Sequence, residues 1–282
     1  MHFTIFENME IEKNPRVLKE SIEIESGSLG RNVKVDFYSP AKISHSVEMS
    51  LLLINDGQDM EKLGLKAMLD ELYSKNIIEP LLCVGIHAGT ERKMEYGTAR
   101  IPDYKGRGAK AGKYTGFIFD ELLPYIHTQY PVPGFKEKAF AGFSLGALSA
   151  LDIVWNHPQE FSRIGIFSGS FWWRIKDQHD KTYSDDTDRI MHWQIRNGGY
   201  YPWLKFFFEC GASDEKQDRN NNGIIDSIDD TLDLIKELVA KGYDAEKDIY
   251  YLQIDDGKHD VETWARAMPA FLKWGWGRVS GL

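Results

Sequence analysis

An apolar strand that runs straight into Gly-x-Ser-x-Gly and out into a helix leaves few folds open, and this chain contains one. Residues Lys138-Ala139-Phe140-Ala141-Gly142-Phe143-Ser144-Leu145-Gly146-Ala147-Leu148-Ser149-Ala150 supply the strand, the turn and a run of good helix formers. The turn has to be tight. Glycines two places either side of Ser144 let neighbouring backbone pass closely while the hydroxyl projects from the sheet edge. The backbone N–H of Leu145, at a helix start, would then face a developing oxyanion, and one such donor lowers a barrier by roughly 3 kcal/mol.

A serine hydroxyl is a weak nucleophile near neutral pH, so it needs a base and a carboxylate to orient that base. His259 fits the first role. It lies in Asp255-Asp256-Gly257-Lys258-His259-Asp260, a turn-rich segment after the last predicted strand and before a closing helix. His179 and His192 follow no predicted strand, and His157 sits beside Pro158 near a helix end. Asp214 fits the second role, a few residues past the run Phe206 to Glu209, with Glu215 and Asp218 as nearby rivals.

The rest of the chain agrees with an α/β architecture. Apolar or alternating runs at Val33–Tyr38, Met49–Ile54, Leu81–Ile86, Ala139–Phe143, Ile164–Phe167, Phe206–Glu209 and Ile249–Ile254 are separated by helical patterns, including Gly116–Thr128, Ala147–Asn156 and Thr231–Ala240. Strands alternating with helices predict a mostly parallel central sheet covered on both faces. One domain is expected over 1–282. Two stretches resist assignment, His87–Tyr114 and the aromatic-rich Phe171–Pro202, and read as lids or pocket walls.

Composition removes several classes. A hydrophobic fraction of 42% with 27% charged residues describes a globular chain, and a net charge of −9 with scattered lysines and arginines argues against nucleic-acid binding. No segment approaches the roughly 18 apolar residues of a membrane span. Met1-His2-Phe3-Thr4-Ile5-Phe6-Glu7 lacks a basic start and an apolar core, so a cytoplasmic location is expected unless a leader was replaced by the initial Met. Cys83 and Cys210 both sit in apolar runs and read as buried thiols rather than a disulfide. Oligomeric state is not encoded in any pattern seen here.

Taken together, these residues resemble the esterase branch of the α/β-hydrolases, which includes enterochelin esterase, feruloyl and acetylxylan esterases, S-formylglutathione hydrolase and the mycolyltransferases. The resemblance spans roughly Val33 to Trp276. Besides the serine motif it includes Leu53-Ile54-Asn55-Asp56-Gly57-Gln58-Asp59, the Arg92 to Glu95-Tyr96 stretch, Ser168-Gly169-Ser170-Phe171-Trp172-Trp173, and Gly257-Lys258-His259-Asp260 with Trp264. It implies the α/β-hydrolase fold, in which the triad runs in the order Ser, Asp, His. It also implies that the Asp56-Gly57-Gln58 turn gives the second oxyanion donor, the backbone N–H of Gln58. Enterochelin esterases carry an additional N-terminal domain, which a chain of this length is too short to contain, and that departure puts their siderophore substrate in doubt.

Substrate contacts are expected from Arg92, Tyr96, Trp172 and Trp173: an arginine for an anionic or polar group, and aromatic rings, Phe171 among them, for an apolar or stacking wall. The expected substrate is a small-molecule or carbohydrate ester, with no cofactor for the chemistry. An acyltransferase on the same scaffold, or a non-catalytic calcium- or carbohydrate-binding protein, are the alternative readings.

A second constellation lies at 218–229. Oxygen side chains fall at loop positions one, three, five, nine and twelve (Asp218, Asn220, Asn222, Asp226, Asp229), with Gly223 at six and the Ile224 carbonyl at seven. This is the spacing of an EF-hand calcium loop, and its aspartate ending resembles dockerin modules. A bound Ca²⁺ there would be structural and would fix the segment that carries Asp214.

Overall fold

The computed structural model describes residues 16–41, 49–130 and 134–278; residues 1–7, read above for a leader, lie outside them. Within the described residues eight strands form one sheet: β1 (Val17–Ser26), β2 (Arg31–Pro40), β3 (Met49–Asn55), β4 (Leu81–Ile86), β5 (Phe135–Phe143), β6 (Arg163–Phe167), β7 (Lys205–Ser213) and β8 (Ile249–Lys258). Their order is β1-β2-β4-β3-β5-β6-β7-β8, and β2 alone runs against its neighbours.

Helices fill the crossovers. Between β3 and β4 come α1 (Met60–Leu63) and α2 (Leu65–Ser74). Between β4 and β5 come α3 (Arg92–Glu95), α4 (Ala111–Gly116), a wider π turn at Phe117–Leu122 and α5 (Leu123–Gln129). α6 (Leu145–Asn156) follows β5, α7 (Asp185–Asp188) and α8 (Ile190–Asn197) follow β6, α9 (Asp226–Lys241) follows β7, and α10 (Val261–Trp276) follows β8.

The all-apolar reading of β3 is explained by a core on each face. Leu51 and Leu53 pack with residues of α6, α8 and α9, whereas Leu52 and Ile54 pack with α1, α2 and α10. A strand buried on both sides shows no alternation because both faces need apolar side chains. Cys83 and Cys210 are free thiols in this interior. No helix among the described residues is long and apolar enough to cross a membrane.

Two expectations change. Strand β1 was not anticipated: it lies at the sheet edge, and its charged side chains Lys19, Glu20, Glu23 and Glu25 leave only a weak apolar rhythm. An edge strand has one neighbour and needs little apolar surface. The stretches 87–114 and 171–202 are not open loops, since they hold α3, α4, α7 and α8. They dock on each other through Trp173, whose ring enters a slot between Gly97 and Gly108. A Cβ at either glycine would fall 2.6 and 2.8 Å from the indole. The indole N–H donates to Thr98 Oγ1 at 3.1 Å.

Candidate active site

The turn at Ser144 is strained as its sequence requires. Ser144 has φ 54° and ψ −121°, a conformation that L side chains rarely adopt, between the end of β5 and the start of α6. The two glycines are obligatory for a close approach: a Cβ on Gly142 would fall 2.4 Å from the backbone of Gly146, and one on Gly146 would fall 2.7 Å from Asp56 Oδ2. The Ser144 N–H donates to Phe167 C=O at 2.8 Å and its carbonyl accepts the Ser170 N–H at 3.2 Å, which pins the turn against the end of β6.

The sheet order brings the other candidates to the same edge. β5, β6, β7 and β8 are consecutive parallel neighbours, so Ser144, Ser168, Asp214 and His259 all leave their carboxyl ends. Ser213 pairs with Lys258, which sets Asp214 beside His259. The His259 ring stands against Trp264 with centroids 5.4 Å apart at 82°, partly enclosed by protein and partly exposed. Burial by surrounding protein lowers its pKa below the usual 6.5; Asp214 opposes this and Arg92 adds to it. Asp214 is raised above the ordinary aspartate value, chiefly by burial, with Ser168 and His259 opposing. Among the described residues neither Asp214 oxygen has a hydrogen-bond partner, and the nearest hydrogen-bonding side chain to Ser144 Oγ is Ser170 Oγ at 3.4 Å. The three candidate groups thus share one edge without closed hydrogen bonds, which is common where no ligand draws them together.

The two amides read from the sequence as oxyanion donors sit in separate turns. Leu145 begins α6, and Gln58 lies in the turn after β3; neither N–H is taken by an acceptor among the described residues. Gly57 permits this turn because any Cβ there would fall 2.4 Å from the backbone of Gly85. Asp56, at φ 61°, is buried.

Arg92 and Tyr96 both hold that turn. They lie four residues apart, so one helical turn brings both side chains to Asp56. Arg92 makes two hydrogen bonds to its carboxylate and a longer one, 3.4 Å, to Phe143 C=O; the Tyr96 hydroxyl accepts the Asp56 N–H at 3.2 Å. Tyr96 is fully buried, as is Trp173, so neither presents a surface to substrate. Trp172 keeps part of its ring exposed, under the guanidinium of Arg107 at 4.6 Å, and Phe171 is core.

The loop at 218–229 draws its side chains together, though not through their oxygens. Asn220 Nδ2 and Asn222 Nδ2 both reach Asp229 Oδ2, at 2.9 and 2.8 Å, while Asp218 accepts the Asn222 and Gly223 N–H groups. Gly223 makes the bend at φ 86°. Asp226 departs from the pattern: it accepts the Arg219 N–H at 2.8 Å and its carboxylate lies 3.4 Å from that guanidinium. Among the described residues no three His, Cys, Asp or Glu side chains converge on a metal-sized centre, so the loop's donor set rests on Asp218 and Asp229 with the Asn220 and Asn222 carboxamides and the Ile224 carbonyl.

Sequence reading passed over Glu209 and Ser168 as individual site residues. The signal was available: a glutamate inside Phe-Phe-Phe-Glu-Cys is a charge within a buried strand.

A sheet in this order, with a strained serine after β5, an aspartate after β7 and a histidine after β8, defines the α/β-hydrolase class. The chain belongs to the esterase family described as "Putative esterase", whose model matches residues 26–274. It is 24% identical over 251 residues to the uncharacterized protein YjcH of Bacillus subtilis (strain 168), covering 88% of this chain and 93% of that one. It is 27% identical over 161 residues to the iron(III) enterobactin esterase of Dickeya dadantii (strain 3937), covering 56% of this chain and 34% of that one. The enterobactin esterase of Shigella flexneri, solved in the presence of enterobactin, superposes with a TM-score of 0.70 at 19% identity over 92% of this chain and 58% of that chain. The chain therefore spans little more than half of that structure.

Proposed function

We propose that this protein is a serine carboxylic-ester hydrolase acting on small-molecule or carbohydrate esters through an acyl-enzyme. The observation that carries this reading is the backbone of Ser144 at φ 54°, strained in the turn between β5 and α6 at the sheet edge that also carries Asp214 and His259. Ser144 Oγ attacks the ester carbonyl as its proton passes to His259, which Asp214 orients. The Leu145 and Gln58 N–H groups hold the oxyanion. The alcohol leaves with the proton from His259, and water, deprotonated by the same imidazole, releases the acid and restores Ser144.

Ser144→Ala tests this on short-chain aryl esters: turnover is expected to fall by at least about 10³-fold. Unchanged turnover would remove the reading. Adding an alcohol or sugar acceptor to the same assay separates hydrolysis from acyl transfer, since a transferase would deliver the acyl group to the acceptor in preference to water.

We propose further that the 218–229 loop takes one structural Ca²⁺ through Asp218, Asn220, Asn222, Ile224 C=O and Asp229, with Asp226 acting through water or not at all. The spacing supports this; Asn220 and Asn222 approach Asp229 through their amide nitrogens, so each carboxamide would have to turn over to offer its oxygen to the ion. No step of the chemistry runs through the ion.

A further inference from the structure

Glu209 lies on β7 with its side chain fully buried and neither carboxyl oxygen hydrogen-bonded among the described residues. Alternation along the strand puts Gly211 on the same face. The missing side chain at Gly211 matters, because a Cβ there would fall 2.6 Å from Asp214 Oδ1. Asp214 therefore folds back over Gly211 toward Glu209, and its own buried oxygens are also without partners. The hydroxyl of Ser168 acts on both carboxyls, lowering the pKa of each against burial. It accepts the Trp264 indole N–H at 2.9 Å, and the Ser168 backbone N–H donates to Glu209 C=O at 2.8 Å. One hydroxyl has one proton to give, so a second is needed where two carboxyls meet.

Taking Asp214 as the acid of the triad, we propose that Glu209 is a positioning residue for catalysis: it is held protonated beneath Asp214, donates its proton toward that carboxylate, and keeps it folded over Gly211 and aimed at His259. The surroundings favour the neutral acid. Burial, then the charge of Asp214, pushes Glu209 up to about 8, against weaker pulls from Ser168 and Arg266. Arg266, on α10, is itself spent on Asp256 at 2.6 Å. The remaining titratable groups within reach of its charge are Cys210 of β7 and Tyr251 of β8, both kept neutral by burial. Two buried like charges this close cannot both be carried, so one proton stays with the pair. Above the Glu209 pKa the second charge repels Asp214 from its seat, and orientation of His259 is lost.

The test is kcat/KM for p-nitrophenyl acetate from pH 6 to 9.5, corrected for spontaneous hydrolysis, in wild type, Glu209→Gln and Glu209→Ala. Wild type is expected to fall about fivefold between pH 8 and pH 9, as a single ionisation requires. Glu209→Gln, which donates but cannot ionise, is expected to lose less than tenfold at pH 7, in kcat rather than KM, and to show no alkaline limb; Glu209→Ala loses more than tenfold. The wild-type infrared spectrum should contain a protonated-carboxyl band at pH 7 that fades through pH 8 and is missing from Glu209→Gln. Coincident profiles for wild type and Glu209→Gln, or a spectrum without that band, would overturn the proposal. A wild type inert toward the ester at every pH is a different failure: it removes the esterase reading itself, and this inference with it.

Discussion

Arg92 grips Asp56 through two hydrogen bonds, Nε to Oδ1 at 2.6 Å and Nη2 to Oδ2 at 2.7 Å, and so ties the turn after β3 to the Ser144 turn after β5. Asp56 is almost wholly buried while Arg92 keeps about a third of its side chain in solvent (30%). Removing the arginine leaves a buried carboxylate without its partner. Arg92→Met is expected to destabilise the fold by ~2–4 kcal/mol and to lower kcat at least tenfold, measured by urea denaturation and ester kinetics. An unchanged kcat would show that the Asp56 turn does not shape the oxyanion site.

The same residue also bears on the pH range of the proposed base. His259 has to be neutral to accept the Ser144 proton, and burial followed by Arg92 lowers its pKa while Asp214 raises it. Activity is thus present above the folded-state pKa and lost as pH falls through it, so the acid limb of kcat/KM should centre below pH 6.5. In Arg92→Met it should move upward. A limb that stays in place would mean that His259 does not sense Arg92.

Gly146 couples the two arms of the site. A Cβ there would meet Asp56 Oδ2 at 2.7 Å, and the Gly146 carbonyl already accepts Asn55 Nδ2 at 2.7 Å. Gly146→Ala should therefore displace the oxyanion turn, lowering kcat by roughly 10²-fold with a smaller change in KM. Near-wild-type kinetics would show that the turn yields at little cost.

Calcium offers a further test through stability. At a free concentration a hundredfold above its Kd the ion should add about 2.7 kcal/mol, so a chelator should lower Tm in wild type and leave Asp229→Ala unmoved. Calorimetric titration with CaCl₂ should give one site in wild type. No heat and no Tm change in wild type would remove calcium from the account.

How much of this was legible in the sequence depended on where each partner lay along the chain. Ser144 and its glycines carry their reason within five residues, and β3 announces a doubly covered sheet by having no polar face. Trp173 and Tyr96 were misread because what buries them comes from elsewhere: Gly97 and Gly108 form the slot for the tryptophan, and Asp56 lies 40 residues before the tyrosine that meets it. Local pattern marks an aromatic residue as important, but it cannot tell a wall of a pocket from a peg that joins two loops. Asp226 shows the same limit in the opposite direction. Its spacing fits a calcium loop, yet it is drawn to Arg219, a residue that also pairs with the buried Asp230 of α9 at 2.6 Å.

The central claim is that Ser144 is the nucleophile, and the most direct measurement is intact mass after incubation with a fluorophosphonate. The account predicts one covalent adduct on wild type and none on Ser144→Ala. An adduct that persists in Ser144→Ala, or a wild type that takes up no label, would contradict it.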